Sequence, residues 1–365
     1  MIGTGSTFKS AQPADATTVQ DVGIKPGVQD VGIKAVAKAL NLSVSTVSRA
    51  LNGVYGVNAA TRKLVEETAK SMGYVPHLGA KQLVGKSSNL IGVFIPQFEF
   101  EASDGFVGMF SPLQNALQSY GKDALFFSIP FSNYQNQRLT ECITSRSLEG
   151  CIIFPPFSEA HPIIQEVLRL QVPCVNFEDV IGPRCSSVIS DDREGGRLAG
   201  RRLLEGGHRI IGYMNGPPGI RICKERYAGF CEALSEFGIE HDSSLVVIGD
   251  FSGASGAKSA IELRHRHPEM TALFCANDLM AMGAIMEFAR AGILVPEEVS
   301  IVGYDGDTFS AYTSPPLTTI SHARDEISSR AVQMLMEIIK GNSGTKHSVP
   351  PQLKERQSVA RWRTE

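Results

Sequence analysis

Ten residues from Ser43 to Asn52 gather Ser43, Ser45, Thr46, Ser48, Arg49 and Asn52 around a few aliphatic side chains, Val44 among them. Short hydroxyls, one guanidinium and one amide are the groups that bond phosphates and the edges of bases. Arg grips guanine through two hydrogen bonds, and small side chains approach thymine methyls or phosphates. A second set lies far downstream, where Arg226, Asn277 and Asp305 offer the paired donors and acceptors that the hydroxyls of a small molecule require.

Neither set is catalytic, and the remaining candidates fail on spacing. Gly253-Ala-Ser-Gly256 misses a nucleophile elbow, because the closing glycine belongs at position 257, which is Ala257. His265-Arg-His267 reads as a charged helix end rather than a metal pair, and Asp305-Gly-Asp307 lacks the other ligands of a calcium loop. Asn215 precedes the turn Gly216-Pro-Pro-Gly219, with no phosphate-loop Lys-Ser/Thr after it. The expectation is a protein with no enzyme activity, no cofactor and no metal.

Both sets need elements to hold them. From Ile33 the apolar residues fall at Ile33, Val36, Ala37 and Leu40, one face of a helix. Asn41-Leu42-Ser43 breaks that run, and Ser43 can cap a second helix over Val44–Leu51 by accepting a first-turn N–H. Val47 and Leu51 would face inward, and Gly53 stops the helix. Asn58 caps a third helix with Leu64, Val65, Ala69 and Met72 along one side, ended by Gly73. Two short helices across a three-residue turn form a helix-turn-helix unit, whose second helix fits a DNA major groove. Charge agrees: Val31–Lys86 carries eight Lys or Arg against two acids, an excess of six, while the rest of the chain has nine more acids than bases. A basic head on an acidic body points to a polyanionic partner for the head.

After Lys86 short apolar runs recur at Leu90–Ile95, Ala124–Phe127, Cys151–Phe154 and Cys174–Phe177. They return at Ile210–Tyr213, Leu245–Ile248, Ala272–Cys275 and Val299–Gly303, with amphipathic stretches between. Fully apolar strands alternating with helices mean parallel sheets covered on both faces, and two such series imply two α/β lobes. The default ligand site is a cleft at the strand C-termini. There Asn277, Asp278 and Asp305 each end a strand, and helix N-capping is the favoured role for Asp278. Arg226 has a structural alternative, an ion pair. Seven scattered cysteines without a Cys-x-x-Cys pair fit reduced thiols in a cytoplasm. No run approaches the about 20 apolar residues of a membrane helix, and residues 1–30 lack the apolar stretch of a secretion signal.

The segment Leu42–Gly53, LSVSTVSRALNG, closely resembles the DNA-reading segment of the lactose-repressor (LacI/GalR) family, and the match continues without a gap through Thr61–Val93. Further landmarks are Asp191–Tyr213, Arg226–Leu234, Ala272–Ala284, Val295–Asp307 and Ser314–Ile320, so the resemblance covers roughly residues 33 to 358. It implies an α/β chain with a three-helix helix-turn-helix head, a hinge helix, and a two-lobed periplasmic-binding-protein-like body of parallel sheets. It also implies a transcriptional regulator, with repression the expected sign, that binds a near-palindromic operator as a homodimer. A small effector in the cleft, a sugar or sugar phosphate, would control it. The implied DNA-binding residues are Ser43, Val44, Ser45, Thr46, Ser48, Arg49 and Asn52, with Ala80 and the minor-groove wedge Leu83 in the hinge Pro76–Val84. The implied effector residues are Arg226, Asn277 and Asp305, with Phe251 at an aromatic position, His322 at a polar one and Glu178 where the family often has Asp. Phe98 and Phe100 could form a wall or pack in the core. Ala35 stands where the family usually has Asp, and His77 and Gly79 also depart from it, which touches contacts of the first helix and hinge stability. The competing readings are a solute-binding protein of a transporter with the same body, and a sugar-processing enzyme with an accessory DNA module.

The expected domains are 1–30, a flexible extension; 31–75, the head; 76–88, hinge and linker; 89–190 with 324–347, lobe one; 191–323 with 348–358, lobe two; and 359–365, a tail. The C-terminal stretch Pro351–Glu365 has no leucine heptads, so a dimer without a tetramer-forming coil is expected. Val19–Lys25 is repeated letter for letter as Val28–Lys34. The family's helix-one Asp lies eleven residues before the position of Thr46, which lands on Ala35. Neither Val-Gln-Asp-Val-Gly copy therefore opens the helix; Ile33 does, with Gly32 before it. The doubled stretch reads as a local duplication within the extension, with an arm that touches DNA as the alternative.

Overall fold

A computed structural model describes residues 31–74, 87–97, 104–130, 134 and 138–362. The extension 1–30, the hinge with Ala80 and Leu83, and the phenylalanines at 98 and 100 lie outside these residues. The chain divides into two compact units, residues 1–86 and 87–365.

In the first unit three helices form, α1 (Ile33–Ala39), α2 (Val44–Leu51) and α3 (Ala59–Ser71). Their starts follow from local chemistry. Gly32 precedes α1 without a side-chain cap, whereas the Ser43 hydroxyl accepts the Thr46 N–H at 3.1 Å and the Asn58 amide accepts the Thr61 N–H at 2.8 Å. Asn41 takes a left-handed conformation (φ 51°) that turns the chain from α1 into α2. Val36, Ala37, Val47, Ala50, Val65 and Ala69 form the buried core, with Leu40, Leu51 and Met72 packed against it. Two expectations change here. Ala50, not Leu51, is the fully buried partner of Val47, and Leu64 is 52% exposed. In α3 the inward row is 65, 69 and 72, and Leu64 sits just off it.

The second unit begins with β1 (Leu90–Gln97), α4 (Asp104–Ser119), β2 (Asp123–Pro130), α5 (Arg138–Arg146), β3 (Gly150–Ile153), α6 (Pro162–Leu170), β4 (Cys174–Asn176) and β5 (Cys185–Ser190). It continues through α7 (Asp192–Glu205), β6 (Ile211–Asn215), α8 (Arg221–Glu236), β7 (Val246–Ile248), α9 (Gly253–Arg266), β8 (Ala272–Cys275), α10 (Asp278–Arg290) and β9 (Ser300–Asp305). The last elements are β10 (Thr318–Ser321), α11 (Arg324–Ile339), β11 (Lys346–Val349) and β12 (Gln352–Lys354). One sheet has the order β11-β5-β4-β3-β1-β2 and the other β12-β10-β9-β8-β6-β7. Every pairing is parallel except β10 with β12. The chain crosses between lobes after β5, after β10 and between β11 and β12.

The inner strands β1, β3 and β4 of one sheet and β6, β8 and β9 of the other are buried on both faces, which is why they read as continuous apolar runs. In lobe one, Ile91, Val93, Ile152 and Val175 pack under α4 and α11, and Phe94, Cys151, Ile153 and Cys174 pack under α5 and α6. In lobe two, Met214, Leu273 and Ile301 face α9 and α10, and Tyr213, Phe274 and Tyr304 face α7 and α8. β5, β10, β11 and β12 have no counterpart among the sequence-read strands. β5 and β10 carry buried Ser186, Ser187, Thr318 and Thr319 instead of apolar runs. Their hydroxyls find partners, as in Ser187 to the Glu178 carbonyl at 2.6 Å, and so tolerate burial. All seven cysteines are free thiols.

Candidate functional site

In the head, α2 turns its apolar side, Val47 and Ala50, into the core. That leaves Val44, Ser45 and Arg49 exposed, with Ser48 and Asn52 half-buried beside them. Positions 45, 48, 49 and 52 follow one helical face. Asn52 donates to the Ser48 hydroxyl at 3.3 Å, and the Ser43 hydroxyl lies 2.8 Å from those of Ser45 and Thr46. The described sequence-predicted DNA residues thus share the outward side and N-terminus of one short helix. Ser43 and Thr46 also serve the helix cap.

The cleft groups of the body are positioned by an unusually close helix pair. A Cβ on Gly196 of α7 would run into the Arg226 carbonyl, and one on Gly229 of α8 into the Arg193 carbonyl. Only glycine permits this approach, and it brings Asp192 at the start of α7 against Arg226 of α8. Arg226, 3% exposed, donates to Asp192 at 3.0 Å and to the Ala276 carbonyl at 2.6 Å. Its guanidinium also lies 3.3 Å from Asp305, 3.4 Å from the His322 ring nitrogen and 3.6 Å from the centre of the Tyr304 ring. His322 Nε2 is 3.3 Å from Asp305, and its Nδ1 has no partner.

The network continues from one sheet's lobe to the other's. Arg221, at the first position of α8 in lobe two, donates to Glu178 of lobe one at 2.9 Å and reaches Asp192 at 3.3 Å. Asn277 caps α10 by accepting the Met280 N–H at 3.0 Å, and its amide donates to the Phe251 carbonyl at 2.9 Å. Phe251 (φ 71°) and Asp305 (φ 101°) both hold left-handed backbone conformations, which cost a side-chain-bearing residue of order 1–3 kcal/mol and concentrate at functional sites.

Burial and charge set the protonation of these groups. Burial works against charge on Arg226, but Asp192 and Asp305 outweigh it and hold the guanidinium more firmly protonated than usual. Burial likewise opposes the charge of Asp305, yet Arg226 and His322 overcome it, and its carboxyl lies below the ordinary range. Glu178 goes the other way, raised by burial against the opposing pull of Arg221. Asp278 is raised well above the carboxylate range by burial and by the nearby Asp305. It is not the N-cap that its position suggests. Asn277 holds that role, and Asp278 accepts the Asp307 N–H at 2.8 Å and the Thr319 hydroxyl at 2.6 Å.

Arg226, Asp305 and His322 therefore form one network that runs through Asp192 and Arg221 to Glu178. Asn277 and Phe251 hold each other beside it, Asn277 following the Ala276 carbonyl that Arg226 grips. Sequence reasoning missed Arg221, Asp192 and Tyr304. The paired glycines after Asp192 were the available signal, since they announce a close helix approach. Among the described residues no group of three His, Cys, Asp or Glu could hold a metal ion, and no helix is long and apolar enough to cross a membrane.

Residues 32–77 match the family model for bacterial regulatory proteins of the lacI family, and residues 200–359 match a periplasmic binding protein-like domain. The chain is 31% identical over 309 residues to the HTH-type transcriptional repressor PurR of Aliivibrio salmonicida (strain LFI1238), covering 84% of this chain and 92% of the relative. It belongs to the LacI family. It is also 30% identical over 316 residues to the HTH-type transcriptional regulator CelR of Thermobifida fusca, covering 85% and 92% of the two chains. Among solved structures, the lac repressor dimer bound to operator and the anti-inducer ONPF aligns with a TM-score of 0.77 at 26% identity, over 91% of this chain and 100% of that one. The complex of the regulator CelR with cellobiose aligns with a TM-score of 0.69 at 28% identity, over 90% and 99%. As a LacI-family member the chain is a transcription regulator with a DNA-binding helix-turn-helix head and an effector-binding body, and not an enzyme. The lacI-family match spans α1 to α3, and the second match starts inside α7 and runs past β12.

Proposed function

We propose that this LacI-family regulator represses transcription in the cytoplasm as a homodimer. Two heads would occupy the half-sites of a near-palindromic operator, with the outward row of α2 reading base edges and Arg49 as its principal reader. The observation that carries the reading is that row: a guanidinium, hydroxyls and an amide presented on one face of a packed helix-turn-helix. A homodimer is supported by apolar surface on the body. On edge strand β2, Phe126 is 44% exposed and lies 5.0 Å from the Phe110 ring of α4, with Val107 exposed nearby in sequence. Met286 and Tyr312 are exposed on lobe two.

The effector would bind where the strands of both lobes end, against Glu178, Arg226, Phe251, Asn277, Asp305 and His322, with lobe one formed by 89–190 and 324–347 and lobe two by 191–323 and 348–358. A carbohydrate-class effector is supported by the hydrogen-bonding character of these groups and by neighbours solved with cellobiose and with ONPF. It controls DNA binding by favouring one lobe arrangement over the other, and the shift can be no larger than its differential affinity for the two. The test is a thermal-shift screen of sugars and metabolites on the full chain, followed by operator titration with each hit. A hit that raises the melting temperature and changes operator affinity supports the reading. Hits that stabilise the body and leave operator binding untouched refute effector control.

A further inference from the structure

The two guanidiniums of the Arg226 network, and Arg324 beside it, are already engaged. Arg226 is buried between Asp192 and Asp305. Arg324 reaches Asp307 at 2.8 Å and the Asp305 carbonyl at 3.0 Å. Arg221 is the most open guanidinium of the network at 24% exposure, and it is clamped between Glu178 and Asp192. In that network three carboxyl groups face two guanidiniums. The segments leaving the strand C-termini add further acid, with Asp179 after β4, Asp191 after β5 and Asp250 after β7.

A site that holds phosphate by ion pairing needs the opposite arrangement, a guanidinium or ammonium free to pair with the anion. Accordingly we infer that the effector cleft takes an uncharged ligand rich in O–H or N–H donors, and that the Glu178–Arg221 pair excludes phosphorylated ones. This rests on the effector reading above and narrows it, separating a free sugar from a sugar phosphate. Glu178 is the deciding group. It comes from lobe one, Arg221 from lobe two, so their 2.9 Å contact withholds the cation while it bridges the lobes. Asp305, partly open and held ionised, is an acceptor for the ligand's donors, and His322 Nε2 lies 3.3 Å from it.

The experiment is equilibrium dialysis of labelled inorganic phosphate against the full chain at constant ionic strength, for wild type, Glu178→Gln and Arg221→Gln. Wild type and Arg221→Gln are expected to show no saturable binding. Glu178→Gln frees Arg221 from its nearer partner and is expected to bind phosphate saturably, at least about tenfold more tightly than the weakest binding the dialysis can detect. Folded Glu178→Gln protein without that gain overturns the inference. So does saturable binding by wild type that Arg221→Gln removes, a result that needs no Glu178→Gln protein. Neither readout involves DNA or an effector, so failure of the effector reading shows separately, as operator complexes that no stabilising ligand alters.

Discussion

Replacing Arg226 with methionine keeps most of the aliphatic volume and removes the charge, and the structure says how much that costs. Asp192 and Asp305 lose the guanidinium that lies 3.0 and 3.3 Å from them. Removing one partner of a buried ion pair costs about 3–5 kcal/mol, because the other charge stays buried. Both carboxylates keep a second partner, Asp192 in Arg221 at 3.3 Å and Asp305 in His322 at 3.3 Å. The loss should therefore fall at the low end, about 3 kcal/mol. For a body of this size that is a drop in melting temperature of roughly 6–12 °C. The deficit also has a pH signature. Arg226 holds the Asp305 carboxyl below its ordinary range, so the stabilisation is present above the unfolded value of about 3.9 and is lost as pH falls through the folded value. Urea melts of wild type and Arg226→Met from pH 7 downward should show curves that converge below pH about 4. A loss under about 1 kcal/mol, unchanged with pH, would refute the reasoning and leave Arg226 a simple ligand contact. The prediction also warns that a failed effector response in an Arg226 variant reports on the fold before it reports on the ligand.

Asp278 should behave in the reverse sense. Its carboxyl is raised well above the ordinary range, so ionisation opposes folding at neutral pH. Asp278→Asn, whose amide can still accept from the Asp307 N–H and donate to Thr319, should melt within about 1 kcal/mol of wild type or above it at pH 7. A loss of more than about 3 kcal/mol would show that the charged form is the one the fold needs. His208 is buried, with Nδ1 3.0 Å from the Thr271 hydroxyl and Nε2 3.2 Å from the Ala360 carbonyl, and burial holds its pKa below the usual histidine value. Its folded value lies below the unfolded one of about 6.5, so its contribution is complete above that pH and is lost as pH falls, by up to about 1.4 kcal/mol per unit. Denaturation of His208→Asn should show a flatter decline than wild type as pH falls below about 6.5. Parallel curves would assign the decline to other groups.

The head was legible because local rules govern it. Ser43 and Asn58 cap the helices that their positions predicted, and the 3.6-residue period placed Val36, Ala37, Val47, Val65 and Ala69 in the core. It failed at Leu64, where hydrophobicity suggested burial but the helix rotation points the side chain outward. The apolar strands of both sheets were equally visible. β5 and β10 were not, since their buried serines and threonines owe their tolerance to partners such as Arg356 and Asp278, far away in sequence. The cleft divides in the same way. Asp305 and Asn277 announced themselves at strand ends, whereas Arg221 gains its meaning from Glu178, which belongs to the other lobe and precedes the crossover into lobe two.

The central claim, that the row on α2 reads a symmetric operator, is tested most directly by enrichment of duplexes from a random library on the full chain, with wild type and Arg49→Ala in parallel. Wild type should recover a near-palindromic motif and lose affinity steeply with salt, as phosphate contacts release counterions. Arg49→Ala should bind that motif about 1–3 kcal/mol more weakly, with discrimination relaxed at one position of each half-site. Recovery of no symmetric motif, or a variant that recovers the same motif with unchanged discrimination, would contradict the account.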